Sequence, residues 1–161
     1  MDIFKKLRMF LSLNAKMRFL FLEAFFFLGW ARILKCRPFL KVAPYLGDFM
    51  RETTHTSIKA HEKKINSISS AIEIMSRYTF WESACLVQAI AGMKMLQKRQ
   101  IESTLYLGTA KDDTGKLIAH AWLRCGSVYI TGSEGVESFT IVGVFASRIN
   151  QKLSKEGYNE G

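Results

Sequence analysis

The stretch CLVQAIAGMKMLQKRQIESTLYLGTAKDDTGKLIAHAWLRC, residues 85–125, contains the change of period that decides the fold. Up to Arg99, apolar side chains return at three- and four-residue steps (Cys85, Leu86, Ala89, Ile90, Met93, Leu96), which is one face of a helix. That helix closes on Lys98 and Arg99, cations of the kind a helix C-terminus favours. Its N-terminus lies at Ser83, with Thr79 and Glu82 as alternative caps. After Gln100 the step falls to two. Residues 104–110 and 117–125 read as strands, joined by an Asp112-Asp113-Thr114-Gly115 turn. Gly126-Ser127 turns the chain again, residues 128–132 pair back, and FTIVGVF at 139–145 reads as a last strand.

Upstream the period is helical. A helix is expected to start near Asn14, with Phe19, Leu22, Phe26 and Trp30 as its apolar stripe, widened by Phe27 and Ile33, and with Pro38 as its stop. This Phe-rich stripe is expected to be core. Pro44 and Gly47 break the chain again, and TTHTS at 53–57 is a polar joint. A second long helix is expected over 57–78, on Ile58, Ile65, Ile68, Ile72 and Met75. Helices first and an antiparallel meander afterwards is an α+β plan. It divides into an N-terminal helical region (1–56), a core (57–149) and a flexible polar tail (150–161).

The 161 residues make one domain, and 48% apolar with 23% charged residues excludes a disordered chain. The net charge of +9 is uneven. Residues 1–60 hold eleven Lys and Arg against four Asp and Glu, a balance of +7. Such a surface suits nucleic acid, anionic lipid or an acidic protein. The apolar run at 19–31 spans roughly 20 Å as a helix, short of a bilayer's roughly 30 Å. It is therefore read as a packed helix, with peripheral membrane contact open because Lys5, Lys6, Arg8, Lys16 and Arg18 accompany it. The three cysteines, 36, 85 and 125, form no CxxC, which excludes a zinc ribbon or a disulfide framework and points to a reducing cytoplasm.

Two residues stand out for chemistry. Cys85 opens a helix, where free N–H groups and the dipole favour a thiolate; the plainer reading is a small buried side chain. His120 interrupts the apolar strand LIAHAWL and needs a polar partner; it is either a satisfied core histidine or the base for Cys85, as in papain-like and transglutaminase-like enzymes. Cys36 and Cys125 are read as structural. His55 and His61 belong to the polar joint and a helix start. No phosphate-binding loop occurs.

The stretches WESACLVQAIAGMKMLQKRQIESTLYLGTAK, AHAWLRCGSVYITG and MRFLFLEAFFFLGWARILKCRPF resemble the leader peptidase of lasso-peptide biosynthesis over roughly residues 10–147. The resemblance implies a transglutaminase-like cysteine protease that removes the leader from a ribosomally made precursor. Cys85 falls on the family's nucleophile and His120 on its base. It further implies the stand-alone protease half of a split protein, served by a separate leader-binding protein and followed by a ring-closing cyclase related to asparagine synthetase. No metal, cofactor or nucleic acid is implied. The family's third member is an Asp about twelve residues after the His, where this chain has Gly132. A three-residue hairpin loop would set Gly132 opposite His120, and a two-residue turn Ser133. Thr131, Ser133, Glu134 or a backbone carbonyl are the substitutes, with Glu134 the nearest downstream carboxylate. The Cys85 backbone N–H is the natural oxyanion donor, with Trp81 N–H or the Thr79 hydroxyl as a second. The rival activities are acyl transfer to an amine, and a scaffold that has lost catalysis.

Overall fold

The computed structural model describes Arg8, residues 10–56 and residues 59–149. Ser57 and Ile58, the polar tail, and Phe4, Lys5, Lys6 and Met9 of the basic N-terminus lie outside the described residues.

Helix α1, Ala15–Lys35, begins as its sequence requires: the Asn14 side chain accepts the Met17 N–H at 2.9 Å. It ends at Cys36, two residues before Pro38. After a short helix α2, Phe39–Val42, come α3, Glu62–Ser76, and α4, Cys85–Lys98. Helix α4 is the centre of the molecule. It packs on α1, on α3 and on the sheet, so Val87, Ala89, Ile90, Ala91, Met93, Met95 and Leu96 are all buried. Ile65, Ile68 and Ile72 of α3 are buried as their spacing requires, and Met75 is half-buried.

The face of α1 that meets this core is not the expected one. Leu20, Phe21, Ala24, Leu28, Ala31 and Leu34 are buried, whereas Phe19, Leu22, Phe26 and Ile33 are exposed; Phe27 and Trp30 flank the core half-buried. The helix is apolar nearly all round, so its period alone does not choose a side. Two features do: Ala24 and Ala31 leave room for close helix packing, and Glu23 must reach Arg99 at the end of α4.

The strands are β1, Asp48–Phe49; β2, Ser103–Lys111; β3, Leu117–Cys125; β4, Val128–Thr131; and β5, Thr140–Ser147. They form one antiparallel sheet in the order β1-β5-β2-β3-β4. β2, β3 and β4 follow one another as the turns dictate. β5 departs from a simple meander: it crosses to the far side of β2 and receives β1, a strand with no signal in the local sequence. Arg124, 3% exposed, fastens the chain after β1 to the sheet. Its guanidinium donates to the Tyr106 hydroxyl, the Thr53 and Thr54 carbonyls and the Glu52 carboxylate. A smaller apolar cluster of Tyr106, Trp122 and Val144, with Val136 and Phe139, forms a second core apart from the one the helices share.

The edge strand β4 carries the feature that shapes the site. The β3–β4 turn has two residues, with Cys125 opposite Val128, but a bulge between Leu123 and Arg124 shifts the pairing to Leu123 opposite Thr131. There the ladder ends, and Gly132 turns away at φ +68°.

Candidate functional site

Cys85 and His120 line one cavity of about 550 Å³. Its walls come from α3 (Ser69, Glu73), the first turn of α4 (Cys85, Gln88), β3 (His120) and the β4 edge from Tyr129 to Glu134. Cys85 is the first residue of α4 and half-buried. The helix start differs from expectation. Its cap position is Ala84, and no side chain caps it. Ser83 and Thr79 instead bond each other at 2.8 Å, and the Thr79 hydroxyl also donates to the Ser76 and Trp81 carbonyls. The N–H groups of the first turn are thus left without a capping acceptor beside the Cys85 sulfur.

The imidazole of His120 is held from two sides. Its ring lies 5.9 Å from that of Trp122 and 5.1 Å from that of Phe139. Its Nε2 lies 2.9 Å from the Gly132 carbonyl oxygen. A carbonyl only accepts, so Nε2 carries the proton and, in the neutral ring, Nδ1 is the free base. Among the described residues no hydrogen bond joins His120 to Cys85, although the two line one cavity.

Glu134 lines the same cavity but makes no hydrogen bond to the imidazole; the place at Nε2 belongs to the Gly132 carbonyl. Trp81 is not a wall of the cavity. Its ring packs on Phe25 of α1, with centroids 5.0 Å apart, and over Gly29. Cys125 is 1% exposed, and burial pushes its thiol up to about 11. Cys36 is exposed at the end of α1 and accepts from Arg32 at 3.1 Å, so it lies outside the core. His55 is exposed and bonds Glu52; His61 occupies the N-cap position of α3 without a side-chain capping bond. Among the described residues no three of His, Cys, Asp and Glu gather to hold a metal ion.

Gln88 is a cavity residue that the sequence reading missed. Its amide donates to the Ser83 carbonyl at 2.8 Å and so pins the loop that delivers Cys85. The signal was available: a residue three on from Cys85 shares its face of the helix.

Residues 30–144, more than two-thirds of the chain, match the sequence profile of the transglutaminase-like superfamily. The chain belongs to that superfamily. The superfamily includes cysteine proteases and acyltransferases and is made up in general of cysteine-dependent enzymes. The matched segment contains Cys85, His120 and Gly132, and the α+β architecture agrees with it. No curated protein and no solved structure matches the sequence.

Proposed function

We propose that the protein is a cytoplasmic cysteine peptidase that removes the leader of a ribosomally made lasso-peptide precursor before a cyclase closes the ring. The observation that carries the chemistry is the meeting of Cys85, at an uncapped helix start, and His120, with a proton-bearing Nε2 on Gly132, in the walls of one cavity. The substrate class rests on the resemblance of the WESACL and AHAWL stretches to leader peptidases.

In this reading the Cys85 thiol gives its proton to Nδ1 of His120, and the sulfur attacks the scissile carbonyl. The oxyanion that forms is met by the Cys85 backbone N–H. His120 then returns the proton to the leaving amine, which carries away one half of the peptide, and water hydrolyses the thioester. The Gly132 carbonyl keeps the imidazole in the required tautomer throughout. Catalytic hydrogen bonds are often open in a free enzyme and tighten on substrate. In this reading the hydrogen bond between Cys85 and His120 forms when the precursor enters. A separate leader-binding protein presents that precursor.

Incubation of precursor, leader-binding protein and enzyme, read by mass spectrometry, tests the assignment. Cys85→Ala is expected to abolish leader release with an unchanged thermal midpoint, and His120→Ala to slow it about 10²–10⁴-fold. Full cleavage by the Cys85→Ala protein would overturn the assignment. A second reading, a non-catalytic scaffold, is favoured by the glycine at the position of the family's acid; it requires the wild-type protein to release no leader. Acyl transfer is separated by product mass, since its product exceeds the hydrolysis product by the mass of the acceptor amine less one water.

A further inference from the structure

We infer that the outward face of α1 docks on an anionic lipid bilayer, with the helix lying in the plane of the surface. A helix that is apolar all round is ordinarily covered all round. Among the described residues only the inner half of α1 is covered. The outer half presents Phe19, Leu22, Phe26 and Ile33, which are 72%, 56%, 66% and 61% exposed. They form one ridge about 21 Å long. Leu11, also exposed, extends it at the N-terminal end, where Phe10, Leu11, Arg18, Phe19 and Leu22 surround a shallow hollow. To one side the ridge continues through Trp81, packed on Phe25, to Phe80, which is 90% exposed and 4.5 Å from the Trp81 ring. An exposed apolar surface of this extent marks a contact with a partner or a membrane.

The charges choose between occupants. The single acid of α1, Glu23, is turned inward to Arg99 and Lys98. The cations flank the ridge: Lys16 on one side, Arg18 and Arg32 on the other, each roughly 70–110° round the helix from its axis. Their long stems can lie along apolar surface while their heads reach phosphates. A second copy of a chain with net charge +9 would bring like charge against like. A bilayer with anionic headgroups supplies an apolar interior for the ridge and negative charge for its borders. Among the described residues no helix is long and apolar enough to cross a membrane, so the contact is peripheral.

Flotation of the purified full chain with vesicles tests this without any substrate, independently of the peptidase reading. The wild-type protein is expected to float with vesicles of equal phosphatidylglycerol and phosphatidylcholine, and not with phosphatidylcholine alone. Phe19→Ser/Phe26→Ser/Ile33→Ser is expected to remain unbound, with an unchanged thermal midpoint because the three side chains are exposed. Lys16→Gln/Arg18→Gln keeps the ridge and should weaken binding about fivefold for each cation removed. Failure of the wild-type chain to float with the mixed vesicles, or equal binding by both variants, overturns the inference. So does a wild-type dimer in analytical ultracentrifugation that the serine variant dissolves, since it would assign the ridge to a second copy.

Discussion

Gly132 sits at φ +68°, and its carbonyl accepts the Nε2 proton of His120 at 2.9 Å. A neutral carbonyl orients the ring as a carboxylate would, but it offers less to an imidazolium. Simple restoration of the acid is not available at this position. A Cβ on residue 132 would stand 2.5 Å from the Ala121 carbonyl oxygen, on a backbone conformation that side chains rarely adopt. Gly132→Asp is therefore expected to cost about 1–3 kcal/mol of stability and to slow leader release, as read by thermal unfolding and the cleavage assay. Faster cleavage in that variant would remove the carbonyl from its proposed role. Cys125 and Cys85 sit in opposite environments. Cys125 is sealed beneath the sheet with its thiol raised to about 11, while Cys85 meets a cavity and the open N-terminus of α4.

Helix α1 is tied to α4 by an ion pair that settles which way it faces. Arg99 forks onto both oxygens of Glu23, at 2.9 and 2.6 Å, and Lys98 adds a third contact at 3.3 Å. Burial works against the Glu23 carboxylate, but Arg99 and Lys98 outweigh it and hold its pKa below the ordinary value. A carboxylate with a lowered pKa in the folded state stabilises above its unfolded pKa, and that support is lost as the pH falls through the folded value. Glu23→Gln should accordingly cost about 1–2 kcal/mol near pH 7, less than a fully buried pair because Arg99 is 27% exposed. In urea titrations down the acid range the gap between the two proteins should close below the lowered pKa of Glu23. A gap that widens in acid would contradict this account.

Across the whole molecule, the cavity lined by Cys85 and His120 opens between α3, α4 and the β4 edge, while the basic, apolar ridge lies on α1. On the two proposals, one surface serves chemistry and another location. A leader many residues long needs more grip than this cavity offers, which is the proposed task of the leader-binding protein. Tethering by that protein makes the scissile bond local, and cleavage should rise roughly a hundredfold or more when it is added at fixed enzyme and precursor. A rate independent of the partner in a time-course assay would show that the enzyme recognises its substrate unaided.

What the sequence determined by itself is what local period and local chemistry can express. The switch from 3.6 to 2 after Gln100, the Asn14 cap, the Asp112 turn and the positions of Cys85 and His120 at a helix start and within a strand all depend on near neighbours in the chain. The tertiary structure alone decided the rest. An all-round apolar α1 carries no periodic signal for its buried side, which close packing at Ala24 and Ala31 and the reach of Glu23 to Arg99 had to select. The return of β5 to β2 and the pairing of β1 are long-range choices with no local trace. The bulge in the β3–β4 pair, one extra residue that no turn motif announces, ends the ladder early and brings a backbone carbonyl, in place of a side chain, to His120.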